Sequence, residues 1–180
     1  MPRYVALFRG INVGKAKRIA MADLRVLFDK LGYADVATLL NSGNAVFTGN
    51  AEPAATHAAR IREAVLKKLG VDAFVIVKSA KDVAAIIKGN AIADHASNDS
   101  KLLVAVTGDA RGLSKVKSLT RAQWGAEKLH VGKHAAYVWC ANGILESKAA
   151  VALLKGLEET GTTRNWGTLN KIHALLGGDS

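Results

Sequence analysis

Two short polar runs hold the residue types that could do chemistry, Arg9-Gly10-Ile11-Asn12-Val13-Gly14 and Thr162-Thr163-Arg164-Asn165-Trp166. Each joins arginine to asparagine, and neither holds a carboxylate, an imidazole or a thiol. They suit the binding of an anion better than the movement of a proton. In the first run a glycine-containing turn can expose backbone N–H groups, Arg9 and Lys15 supply charge, and Asn12 supplies directional hydrogen bonds. The alternative is a twisted connection whose glycines allow positive φ and whose Asn12 caps backbone groups. Gly10-x-x-x-Gly14-Lys15 is one residue short of a nucleotide triphosphate loop, and Ala16 stands where a magnesium-binding hydroxyl would be, so that loop is not expected.

In the last run Thr163 fits the N-cap of a closing helix. Arg164 then falls in a first turn, where the helix dipole disfavours a cation. An anion held by Arg164 and Asn165 would offset that; so would an acidic side chain paired with Arg164. A third run, Asn41-Ser42-Gly43-Asn44, has the composition of a hairpin turn, and Ser42 and Asn44 become ligand candidates only if they reach the first run. Asp23 is the carboxylate nearest in sequence and the candidate proton carrier should the site be an enzyme's. His130 and His134 flank a Gly132 turn without a third ligand, so no metal is expected. The histidines at 57, 95 and 173 read as surface or helix-end residues, and no cofactor is implied.

These runs need elements to position them. Residues 4–8 form a short apolar run, and 21–31 carry helical spacing through Leu24, Leu27, Phe28 and Leu31 that Gly32 stops. Residues 36–40 and 45–48 flank the hairpin turn. Residues 53–69 place Ile61, Val65 and Leu69 on one helical stripe ended by Gly70, and 73–78 are a dense apolar strand. The order is β-α-β-β-α-β. Later, a helix at 80–88, a strand at 101–106, a helix at 110–119, a hairpin at 127–131 and 135–140, and helices at 148–157 and 164–176 give β-α-β-β-α with additional helices. The fold class is α+β: two ferredoxin-like lobes, 1–79 and 80–180, with antiparallel-rich sheets and helices on one face. Each sheet's other face then needs a cover, and facing lobes would create a cleft.

The chain has 180 residues, 49% of them hydrophobic, enough for a buried core. Its net charge is +10, unevenly spread: residues 1–90 hold 14 Lys/Arg against 7 Asp/Glu, and residues 91–180 hold 11 against 8. Arg9, Lys15, Lys17 and Arg18 share a stretch with no acid among them, so the loop carrying the first run is also the most positive segment. The first residues read as a strand rather than a signal peptide, and no apolar segment approaches membrane-spanning length. A cytoplasmic protein without a membrane partner is expected, and the lone Cys140 agrees.

The runs Phe8 to Gly14, Met21-Ala22-Asp23-Leu24-Arg25, Asn41 to Phe47 and Thr162 to Thr168 closely resemble the DUF1697 family, bacterial proteins whose biochemical function is uncharacterised. The resemblance implies an α+β fold of two ferredoxin-like lobes and implies no activity. The family pattern usually has a second glycine after Gly14, where this chain has Lys15, making the loop tip more cationic.

Three expectations follow for function. The leading one is a small phosphate- or carboxylate-bearing ligand in an inter-lobe cleft, bound by Arg9, Gly10, Asn12, Gly14 and Lys15, with Arg164 and Asn165 contributing and Ser42 and Asn44 in reserve. The second is nucleic-acid binding on the basic face of the first lobe. That face lacks the basic-aromatic signature of an RNA-recognition sheet, offering only Tyr4, Phe8 and Phe47. The third is a protein-interaction or assembly domain without a small ligand. Oligomeric state is not encoded legibly.

Overall fold

Strand β1 (Arg3–Arg9) opens a four-stranded antiparallel sheet that also contains β2 (Ala34–Leu39), β3 (Asn44–Thr48) and β4 (Phe74–Ser79), in spatial order β2-β3-β1-β4. Helices α1 (Met21–Lys30) and α2 (Ala54–Leu69) complete a ferredoxin-like lobe. The structure is a computed structural model and describes residues 1–95 and 97–178.

Alternation along β1 assigns its side chains to two faces. Tyr4, Ala6 and Phe8 join Ala45, Phe47, Val75 and Val77 in a core completed by Leu24, Leu27 and Phe28 of α1 and Ile61 and Val65 of α2. The opposite face bears Val5, Leu7, Val46 and Ile76, all buried as well. Helix α1 ends as its sequence requires. Gly32, at φ +86, donates to Asp29 O (3.0 Å), and Tyr33 N–H donates to Phe28 O (3.2 Å), while the Phe28 and Tyr33 rings lie 5.6 Å apart. This is a Schellman stop with its apolar contact.

The second lobe repeats the plan. β5 (Leu102–Thr107), β6 (Lys128–Val131), β7 (Ala136–Trp139) and β8 (Gly161–Asn165) form an antiparallel sheet in order β6-β7-β5-β8. A short α4 (Ala110–Ser114) and α5 (Lys148–Leu157) pack on one face, with Leu113, Val116, Leu153 and Leu157 against Leu103, Ala105, Ala136 and Val138. The helix expected over 110–119 is broken into α4 and a 3-10 turn at Lys117–Arg121. α3 (Ala80–Lys88) follows β4, and α6 (Trp166–Leu175) follows β8.

The chain therefore holds two βαββαβ lobes. The eighth strand corrects the expected β-α-β-β-α order: Gly161 to Asn165 pair along β5, with Val104 opposite Arg164, instead of opening a helix. By contacts the chain divides into one unit of Met1–Val83 with the segment from Ile172 on, and a second of Ala84–Lys171.

Candidate functional site

The loop after β1 is shaped by four residues with positive φ, Gly10 (+67), Asn12 (+56), Gly14 (+63) and Lys17 (+51). Asparagine tolerates this region better than most residues. Here its side chain also fixes the turn: Asn12 Oδ1 accepts from Ile19 N–H (2.8 Å), and Nδ2 donates to Ile19 O (2.9 Å) and to Asn41 O (2.8 Å). Asn12 N–H reaches Lys17 O at 3.0 Å, and Val13 and Ala16 form a bridge within that closure. Arg18 donates to the carbonyls of Asn12 and Gly14, each at 3.2 Å. Between the two readings of Asn12, the geometry gives its carboxamide a bracing role, since both N–H groups and the oxygen engage backbone.

The hairpin turn is locked to this loop. Phe8 N–H donates to Gly43 O (2.9 Å), and a Cβ on Gly43 would stand 2.6 Å from Ile11 Cδ1 and 2.8 Å from Phe8 Cβ. Only glycine fits there, and its φ of +94 requires glycine again. Asn44 is buried and donates to Leu39 O (2.7 Å) and Ser42 Oγ (3.2 Å), while Ser42 remains exposed. The first and third runs thus form one braced loop pair.

Its surface is cationic. Lys15, Lys17 and Arg18 are exposed, and Arg9 is half-buried at the end of β1, opposite Phe74. No acidic residue occurs between Arg9 and Ala22. Asp72, whose carboxyl is lowered by the Arg62 hydrogen bond (2.9 Å), also feels the charge of Lys17. Asp23 lines a separate pocket of about 300 Å³ between α1 and α2, with Val26, Lys30 and Lys68.

Arg164 and Asn165 belong to the second unit, and their surroundings change their meaning. Thr163 is a strand residue rather than an N-cap, so the expected dipole penalty on Arg164 does not arise. Arg164 is only 7% exposed, donates to Thr162 Oγ1 (2.9 Å) and Thr163 O (2.7 Å), and is pulled down to about 10 by burial. Asn165 is the cap of α6, its Oδ1 accepting from Thr168 N–H at 2.8 Å.

Of its two readings, surface or helix-end residue, His57 meets only the second, lying near the start of α2 and not at the surface. It is fully buried; Nε2 donates to the Asn50 carbonyl (3.1 Å), and in a neutral imidazole Nδ1 then accepts from the Tyr33 hydroxyl (2.9 Å). Tyr4, Tyr33 and Phe47 surround the imidazole with ring centroids 4.5 to 5.7 Å away. Arg60 grips Glu52 through two bonds of 2.8 and 3.2 Å, lowering that carboxyl, and burial raises the Tyr33 phenol. The signal was available, because 57, 61 and 65 share the helical stripe.

In the second lobe Glu127 accepts from Lys148 N–H (3.1 Å), Ala149 N–H (3.2 Å) and the Ser147 hydroxyl, so a carboxylate satisfies the N-terminus of α5. Beside it a pocket of about 400 Å³ is lined by Thr120, Gln123, Trp124 and Lys128. Among the described residues no group of three His, Cys, Asp or Glu is placed to hold a metal ion, and no helix is long and apolar enough to cross a membrane.

The fold has a counterpart in the conserved bacterial protein SP0830 from Streptococcus pneumoniae, at TM-score 0.73 and 22% identity over 97% of this chain and 98% of that one. The ligand-free regulatory subunit of aspartate kinase from Thermus thermophilus aligns at TM-score 0.26 and 13% identity over 87% and 93% of the two chains, too weak a likeness to inform the fold. No curated protein matches the chain. A family model of proteins of unknown function matches residues 1–137, and the chain belongs to that family, DUF1697.

Proposed function

We propose that the first lobe binds a small phosphate-bearing ligand on the loop of residues 9–18. The observation that carries this reading is the bracing of that loop by Asn12, which holds exposed Lys15 and Lys17 on a backbone already ordered before any ligand arrives. Ordering a mobile loop would oppose binding; here that cost is met in folding. Lys15 and Lys17 make the charge contacts, and Gly10 and Gly14 leave open space beside the backbone, since a Cβ on either meets nothing within 4 Å. Arg9 adds to the positive potential, while Asn12 and Asn44 position the loops. Arg164 and Asn165 are assigned structural work in the second lobe. The reading assigns binding and no reaction.

A purely nucleic-acid role is disfavoured because Tyr4, Phe8 and Phe47 point into the core and cannot stack on bases. Thermal unfolding against inorganic phosphate, sugar phosphates, nucleotides and a short RNA, at low and moderate salt, tests the proposal. A small phosphate compound at a hundred times its Kd should add about 2.7 kcal/mol, and the effect should vanish in the Lys15→Ala/Lys17→Ala double variant. Stabilisation by RNA alone, and only at low salt, would replace this reading with the electrostatic one.

A further inference from the structure

Two side chains on the braced loops have chemistry at odds with their surroundings. Val13 is 71% exposed and Leu40 is 53% exposed. They are the chain neighbours of Asn12 and Asn41, the two residues joined by the 2.8 Å bond from Asn12 Nδ2 to the Asn41 carbonyl. Leu40 also holds φ +60, a region in which glycine or asparagine sits easily and a bulky aliphatic residue does not. Its turn is closed by Gly43 N–H donating to Leu40 O at 3.3 Å, a bond independent of the side chain. The leucine side chain is thus neither buried nor needed by the turn. Strained residues of this kind collect where a ligand is held.

The cations are close by. Two peptide units separate the Val13 and Lys15 Cα atoms, at most about 7 Å, and the closure from Asn12 N–H to Lys17 O keeps the excursion tight. Val13 and the two lysines are therefore carried on one short closed loop.

Resting on the proposed phosphate site, we infer that its ligand carries an apolar group that Val13 and Leu40 cover, making the ligand class an alkyl or aryl phosphate rather than a sugar phosphate. Polyol hydroxyls against Val13 and Leu40 would lose water without gaining hydrogen bonds, whereas a hydrocarbon group would bury apolar surface with them. The same chemistry is presented by a free amphiphilic phosphate and by the headgroup region of a phosphatidic acid.

Titration calorimetry with inorganic phosphate, glucose 6-phosphate and hexyl phosphate tests the inference, with sedimentation on phosphatidylcholine vesicles containing or lacking phosphatidic acid as a further arm. Hexyl phosphate should bind about tenfold more tightly than glucose 6-phosphate. Val13→Ser/Leu40→Asn should remove that preference, and Leu40→Met should keep it. Equal affinities, or a preference that survives Val13→Ser/Leu40→Asn, overturn the inference while leaving the phosphate site standing. Failure of all three compounds and of the vesicles overturns both. Sedimentation that requires phosphatidic acid assigns the ligand to a lipid, and binding of hexyl phosphate alone assigns it to a soluble amphiphile.

Discussion

Asn12 and Ile19 clasp each other in both directions, the Ile19 N–H donating to Asn12 Oδ1 at 2.8 Å and Asn12 Nδ2 returning a bond to the Ile19 carbonyl at 2.9 Å. Because Nδ2 also reaches Asn41 O, one carboxamide ties three stretches of chain. Asn12→Ala removes all three bonds and puts alanine at φ +56, for a loss of about 3 kcal/mol in urea unfolding. Asn12→Asp keeps the shape but turns a carboxylate oxygen toward two carbonyls, and should be at least as damaging. A loss below 1 kcal/mol for both would deny the brace.

Gly10 and Gly43 both have positive φ but differ in their neighbours. Gly10→Ala introduces backbone strain alone, since nothing lies within 4 Å of the new Cβ, and should cost about 1 kcal/mol. At Gly43 the added carbon collides with Ile11 and Phe8, so Gly43→Ala should cost about 3 kcal/mol or more and loosen the first loop as well. Comparable denaturation midpoints for the two variants would contradict the interlocked arrangement.

Alkaline stability isolates Tyr137. Its hydroxyl donates to Ile86 O at 2.5 Å, and burial pushes it up to about 12 from 10. The folded state thus holds its proton more tightly than the unfolded state does. The associated stability is complete below pH 10 and is lost as pH rises toward 12, a loss on the order of 2–3 kcal/mol. Tyr137→Phe should cost about 1 kcal/mol at pH 7 through the missing hydrogen bond. It should then decline less steeply than the native chain between pH 10 and 12. Parallel curves for the two proteins would remove Tyr137 as the cause.

Leu40 makes a prediction of the opposite sign. Leu40→Gly or Leu40→Asn relieves the left-handed backbone and removes an exposed aliphatic group, so either should raise stability by about 0.5–1 kcal/mol. A destabilised variant would mean that the leucine side chain serves the fold after all.

The first lobe was legible because its signals coincide: helical stripes end at Gly32 and Gly70, and a polar turn separates two β-prone runs. β8 escaped because Gly161 to Asn165 pass straight into α6 without a connecting turn, and its buried face holds Thr162 and Arg164 in place of aliphatic residues. The capping signal was real but lay two residues later, at Asn165 rather than Thr163. His57 was missed because residue type outweighed spacing. The tie between Asn12 and Asn41 joins residues far apart in sequence, and composition cannot indicate which backbone atoms a side chain will meet.

The division of the chain places Ile172 onward with Met1–Val83, so this unit is completed by residues synthesised well after Val83. At about 5–20 residues per second, roughly ninety residues intervene and the ribosome delays that completion by about 5–20 seconds. During this interval the nascent first lobe lacks Ile172 and Leu176, both buried in the finished protein. Chaperone engagement should therefore be strongest on chains stalled before Ile172 and should fall once α6 emerges.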